Sequence, residues 1–334
     1  LIIKNVNKTL SKGNIFFGQE LEKLEKNFVK KYNGKFGIAV GSGTDALYIS
    51  LKTLNLKSGD EVITAANTAI PTISAIINAG GKPRLVDVGE DYLIDTSKIE
   101  KLITKRTKAI IPVHLYGQAC DMSKILKIAK KYKIKIIEDC AQAQGAKYNK
   151  KFVGTLGDFG CFSFYPTKIL GAYGDGGFIT TKSFKDFLKI KRLRFYGIET
   201  INKKNLFYKK YYANENGLNS RLDEIQSTIL NIKLKYVDKY INKRIKLANL
   251  YLKYLKNTDI NLPKTNDLKK HVFHLFTVSH PKREKIIRML EKEKIGTRVI
   301  YPYPINVMKG YKNFKFNNQN LKYSKKMSKE IFSL

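Results

Sequence analysis

The chain has 334 residues, 43% hydrophobic and 27% charged, enough to bury a sizeable core in one main domain with a smaller second one. No apolar run approaches bilayer length, which excludes a membrane span, and the three cysteines, Cys120, Cys140 and Cys161, lack metal-ligand spacing, make no disulfide framework and fit a reducing cytoplasm. The 63 basic and 28 acidic residues leave a net charge of +35, a field that attracts polyanions, yet the excess is lysine spread over solvated runs without a nucleic-acid recognition motif, so neither nucleic acid nor membrane is expected as a partner.

The chain opens on Leu1 rather than Met, at what reads as the approach to a helix. An N-terminal segment can be missing there, and a targeting signal in it would go unseen. Over 19–32, Leu21, Leu24, Phe28 and Val29 recur at helical spacing among charges, which predicts an amphipathic helix. A short apolar strand over 36–40 then runs into Gly41-Ser42-Gly43-Thr44 and a helix over 45–54. Strand, glycine-rich turn and helix start in succession make an anion site, because the backbone can approach closely and free N–H groups face outward. The spacing matches neither a Walker loop nor a dinucleotide fingerprint, and alone it reads as a capped helix start.

Strands over 61–65, 84–88 and 108–113 alternate with helices over 71–79, 96–102 and 122–132, and a strand over 134–137 ends in Glu138-Asp139-Cys140. Such alternation predicts an α/β domain with a largely parallel sheet, whose ligands bind beyond the carboxyl ends of strands. The turn at Ser42, the stretch holding His114, and Asp139 all fall at such ends, so one cleft can hold them. Strands over 160–165 and 177–181 flank a loop carrying Lys168. One stripe of Leu222, Ile225, Ile229, Ile232 and Tyr236 predicts a single long helix to about residue 255, linking two domains. A polar loop over 257–270 follows. A strand (272–278), a helix (281–294) and a strand (297–300) then read as half of a small α+β domain, before a polar and finally helical tail. The resulting division is a large domain over 1–235 and a small one over 236–334.

Lys168 follows Phe162, Phe164 and Tyr165 and precedes Ile169 and Leu170. Partial burial disfavours the ammonium and lowers its pKa, which suits a nucleophile and Schiff-base former. A reactive lysine, a strand-end carboxylate and a glycine-serine turn are together the parts needed to hold pyridoxal phosphate, whose aldehyde bonds an amine, whose ring nitrogen needs a negative partner and whose phosphate needs donors.

Seven stretches in order carry a resemblance: V-G-S-G-T-D-A-L (40–47), G-D-E-V-I-T-A-A-N-T (59–68), V-H-L-Y-G-Q (113–118), I-E-D-C-A-Q-A-Q-G-A (137–146), F-S-F-Y-P-T-K (162–168), G-A-Y-G-D-G-G (171–177) and G-L-N-S-R-L-D-E-I-Q (217–226). In them the chain resembles the nucleotide-sugar aminotransferases, pyridoxal phosphate enzymes of the aspartate-aminotransferase fold. The resemblance implies that Lys168 bonds the cofactor and moves protons, that Asp139 pairs with the ring nitrogen and that Gln142 lies near the ring hydroxyl. It implies that Gly43, Thr44 and Ser163 meet the phosphate, joined by Asn219 of a neighbouring subunit in a homodimer with shared sites. Asn219 also reads as an N-cap of the long helix.

His114 is retained from the family pattern, although a strand-end histidine is commonly structural. Ala69 stands where the family commonly has an aromatic over the ring, and Ile300 and Asn306 stand where histidines often occur, in the region that shapes the sugar site. The implied reaction passes the amino group of L-glutamate through the pyridoxamine phosphate form to the 3- or 4-keto group of a nucleotide-linked deoxysugar, for an amino sugar of a lipopolysaccharide or other surface glycan, in the cytoplasm and without a metal. The alternatives are a non-catalytic regulatory protein of the same fold and a sugar dehydratase, which carries histidine in place of the lysine; Lys168 speaks against the latter.

Overall fold

The computed structural model describes residues 1–199, 212–264, 269–311, 313–314, 316 and 321–334. Seven five-residue strands form its central sheet: β1 (Phe36–Val40), β2 (Glu61–Ala65), β3 (Lys82–Val86), β4 (Thr107–Ile111), β5 (Lys135–Asp139) and, after the two-residue β6 (Lys147–Tyr148) and β7 (Lys151–Phe152), β8 (Phe159–Ser163) and β9 (Gly177–Thr181). They lie in the order β1-β9-β8-β5-β4-β2-β3. β9 runs antiparallel to both neighbours and the other pairs are parallel. Every residue of β2, β8 and β9 is buried, as expected where helices cover both faces of a mostly parallel sheet.

Helix α1 (Ile2–Ser11) precedes α2 (Gln19–Lys31), whose Leu21, Leu24 and Phe28 face inward. Phe28 lies 4.2 Å from Phe178 of β9 and 5.0 Å from Phe162 of β8, ring centre to ring centre, so α2 covers the strands that frame Lys168. Helices α3 (Gly43–Thr53), α4 (Ile70–Asn78), α5 (Met122–Tyr132) and α6 (Phe184–Leu193) complete the layers.

Four expectations are corrected. The helix expected over 96–102 is a pair of three-residue 3-10 turns, because the Asp95 carboxylate accepts from both the amide (3.1 Å) and the hydroxyl (2.6 Å) of Ser97 and tightens the chain there. The single long helix is two, α7 (Glu224–Leu234) and α8 (Val237–Leu255). The amides of Lys235 and Tyr236 bond carbonyls three residues back, the tight closure of a helix end. Tyr236 is left 44% exposed, and α8 buries a new face through Val237, Ile241 and Ala248.

The strand expected over 272–278 is interrupted by Phe273 at φ 46° and shrinks to β11 (Thr277–Ser279), beyond the short β10 (Lys269–Lys270). The strand expected over 297–300 is reduced to a bridge between Arg298 and Ser333, and β11 pairs with β12 (Ile331–Ser333). Around this pair Ala248, Phe273, Phe276, Val278 and Phe332 form a second apolar cluster. Residues 265–268 of the expected loop, and 203–210, one of the runs that carry the lysine excess, lie outside the described residues. No described helix is long and apolar enough to cross a membrane.

Candidate active site

A cavity of about 510 Å³ opens beyond the carboxyl ends of β1, β5 and β8, and Gly43, Thr44, Asp139, Gln142, Ser163 and Lys168 all line it, with Ala69 across from them. Seven of the nine candidate residues thus converge from four separate stretches of chain. Among the described residues lining it, Lys168 is the one cationic side chain.

One end is built for an anion. Ser42 caps α3, its hydroxyl accepting the Asp45 amide at 3.0 Å. The first amides of a helix have no intrahelical partner, which leaves those of Gly43 and Thr44 for the cavity. Gly43 is required by proximity: a Cβ there would lie 2.6 Å from Cβ of Ser163. Ser163 in turn accepts from the Tyr165 amide at 3.3 Å and keeps its hydroxyl proton free.

The opposite end is built for a cation. Asp139, 4% exposed, accepts from the Ala141 amide (3.1 Å) and the Thr72 hydroxyl (2.9 Å). Because Thr72 gives its proton to Asp139, Thr68 donates to Thr72 at 2.8 Å. Burial pushes the Asp139 carboxyl above the usual range, against the pull of those two donors and of the Lys168 charge. A buried carboxylate with only neutral donors for partners favours a protonated nitrogen beside it.

Lys168 follows Ser163 in a loop between β8 and β9, and its amine has no hydrogen-bond or ion-pair partner among the described residues. Burial lowers its pKa, and the Asp139 charge opposes this. The loop is closed by the Phe164 amide on the Gly176 carbonyl and the Ala172 amide on the Phe164 carbonyl, both 2.7 Å. At Gly171 a Cβ would meet the Pro166 carbonyl oxygen at 2.4 Å. From α7, Gln226 accepts the Tyr173 amide at 2.9 Å and Lys233 donates to the Gly171 carbonyl.

Two candidates lie elsewhere. His114 is fully buried outside the cavity lining, its Nδ1 accepting the Cys120 amide and its Nε2 donating to Glu138, each at 3.0 Å. Glu138 also accepts the amides of Gly154, Leu156 and Gly157. His114 therefore braces the strand end that presents Asp139 and does not face a ligand. With Cys140 these two place ligand atoms within 4.8 Å of one another, but the carboxylate already holds four donors and both imidazole nitrogens are engaged, so a cation would have to displace structural bonds. Asn219 is exposed, bridged to Phe195 and away from its own chain's cavity. It is not the helix cap, which is Asp223, accepting the Gln226 amide at 2.7 Å.

Thr72 and Tyr301 enter the site without having been singled out in the sequence. Thr72 sits in A-N-T-A-I-P-T beside Ala69, and its spacing of three from a cavity residue on one helix was an available signal. Ala69 itself opens α4 without a side-chain cap, and the aromatic rings at the cavity are Tyr165, Tyr301 and Tyr303. Ile300 and Asn306 do not line it.

Over residues 1–334 the chain matches the family described as the DegT/DnrJ/EryC1/StrS aminotransferase family. It is 44% identical to a dTDP-3-amino-3,6-dideoxy-alpha-D-galactopyranose transaminase of Aneurinibacillus thermoaerophilus, over 98% of this chain and 88% of that one. Its fold superposes with a TM-score of 0.93 on S. venezuelae DesV in complex with a ketimine intermediate, at 34% identity over all of this chain and 88% of DesV. The corresponding values for Bacillus subtilis NtdA with bound cofactor PMP are 0.90, 33%, 100% and 76%.

Proposed function

The chain belongs to the DegT/DnrJ/EryC1/StrS aminotransferase family, and from that premise we propose that it moves the amino group of L-glutamate to the 3-keto group of a nucleotide-linked deoxysugar. It is a transaminase that uses pyridoxal phosphate. The name of the relative from A. thermoaerophilus carries its amino group at carbon 3 of a dTDP-linked 3,6-dideoxy sugar, which supports carbon 3 over carbon 4 here.

The observation that carries the site assignment is the meeting, in one cavity, of a partner-free amine, a buried carboxylate satisfied by neutral donors and an open helix start. These residues fit the cofactor. When bound, it supplies an aldehyde for an amine and a protonated ring that withdraws electrons. Lys168 would hold the cofactor at its aldehyde, and its amine would carry a proton between substrate carbon and its own nitrogen. Asp139 holds the ring-nitrogen proton, and Thr72 and the Ala141 amide keep that carboxylate oriented. The amides of Gly43 and Thr44 and the Ser163 hydroxyl bind the phosphate.

Lys168 being the one cation among the described lining residues, the cofactor phosphate and a sugar diphosphate call for further donors. Asn219, exposed and away from its own cavity, is suited to serve the site of a neighbouring copy, which makes a homodimer part of the active site.

Adding L-glutamate to the purified holoenzyme bleaches the visible band of the lysine-bound cofactor, and a dTDP-linked 3-keto-6-deoxyhexose restores it, as alternate half-reactions require. A band that no amino donor moves sinks the reading. At the phosphate end, Gly43→Ala forces the new methyl against Ser163; overpacking of about 1–3 kcal/mol weakens cofactor binding by roughly ten-fold or more, measured by fluorescence titration of the cofactor-free protein. Wild-type affinity in that variant would remove Gly43 from the phosphate site.

A further inference from the structure

Hydrogen-bond direction at Gln142 can be read without seeing a proton. Tyr116, held at φ 59° in the tight turn after β4, presents its backbone amide to Oε1 of Gln142 at 2.8 Å. A backbone amide only donates, so the atom it meets is the side-chain oxygen, and the amide flip that is ordinarily a matter of choice is fixed. The Gln142 nitrogen therefore faces the Tyr301 hydroxyl, 3.1 Å away, and donates to it. Tyr301 is thus an acceptor toward Gln142. Its own proton goes to no described residue, while its ring lines the cavity shared with Lys168 and Asp139.

Tyr301 is half-buried, and its free hydroxyl proton borders the cavity its ring lines. We infer that Tyr301 is a hydrogen-bond donor to an oxygen of the ligand bound in this cavity, either the ring oxygen of the cofactor or a keto or hydroxyl oxygen of the acceptor sugar. Burial and the Asp139 charge push its hydroxyl up to about 12, so it stays protonated and cannot turn into a phenolate acceptor at neutral pH. Gln142 orients it, and Tyr116 orients Gln142. This relay runs from a backbone turn to the ligand through side chains of fixed polarity.

The inference rests on the aminotransferase reading, and its test separates the two. Tyr301→Phe removes one oxygen and keeps the ring. If the acceptor is the cofactor's oxygen, the hydrogen bond stabilises negative charge there and loosens its hold on the neighbouring proton. Losing it moves the pH midpoint of the visible band of the resting holoenzyme upward by about one unit. If the acceptor is the sugar's oxygen, that titration stays put, bleaching by L-glutamate keeps its rate, and KM for the dTDP-linked 3-keto-6-deoxyhexose rises by roughly ten-fold. Either result supports the donor role. A band midpoint, KM and kcat all equal to wild type overturn it, whereas a wild-type enzyme whose band L-glutamate leaves unmoved would fail the underlying reading instead.

Discussion

On the proposed reaction, Lys168→Ala lowers turnover of L-glutamate with the keto sugar by about three orders of magnitude or more, because it removes the side chain proposed as both covalent anchor and proton carrier, and positioned proton transfer alone is worth about 10²–10⁴. No other described side chain lining the cavity is an amine, so nothing can take over. The depressed pKa from burial raises the share of free base at neutral pH, while Asp139 opposes the shift without cancelling it. Turnover at the wild-type rate in this variant would end the assignment. The same variant tests the shared site. Mixed with Asn219→Asp chains, it forms heterodimers in which one cavity pairs an intact Lys168 with an intact Asn219 from the other copy. Activity then returns to a mixture of two inactive proteins; a mixture as inactive as its parts excludes the role of Asn219.

Asp139→Asn has effects of opposite sign on catalysis and on stability. With cofactor bound, the variant leaves a ring nitrogen without its buried negative partner, and breaking such a pair costs about 3 kcal/mol or more, on the order of a hundred-fold in rate. Without cofactor, the carboxylate is itself the liability. Its pKa is raised in the folded state, chiefly by burial, so the folded protein holds this proton more tightly than the unfolded chain. The stability linked to it is present in full below the unfolded pKa and is lost as pH rises through the folded one. Cofactor-free Asp139→Asn therefore melts higher than wild type above that window, and the gap closes as pH falls below the ordinary aspartate range. Thermal melts of the cofactor-free proteins across pH measure this. A variant less stable than wild type at neutral pH would mean that Asp139 is a structural residue.

The sheet and the gathering of residues around Lys168 in one cavity were legible because both are written locally. Phe36–Val40, Glu61–Ala65 and Gly177–Thr181 are short apolar runs bounded by turn residues; the carboxyl ends of the parallel strands mark the cleft, and the antiparallel β9 meets it with its amino end, Gly177. What escaped depends on distant partners. Tyr236 fits a helical stripe in the sequence, but the closure at Lys235 rotates it into solvent. Ile331–Ser333 has no strand signal beyond three residues, and it becomes a strand because Thr277–Ser279 offers it an edge. Tyr301 reaches the cavity from a distant segment, and it is oriented by a glutamine more than a hundred positions before it, whose own orientation is set by a turn residue with positive φ. His114 was drawn toward the site by its place at a strand end, yet Glu138 claims it.

The antiparallel strand β9 carries a consequence for how the enzyme matures. Val40, at the mouth of the anion-binding turn, pairs with Gly177, which closes the Lys168 loop, and β1 meets the sheet only through β9. The phosphate end and the lysine end cannot meet until the whole span between them has been synthesised and folded, a contact of high sequence separation that forms slowly. Cofactor can therefore be captured only by chains that have finished this step. A cofactor that binds the native state stabilises it by mass action, so added cofactor is expected to raise the melting temperature of the finished chains.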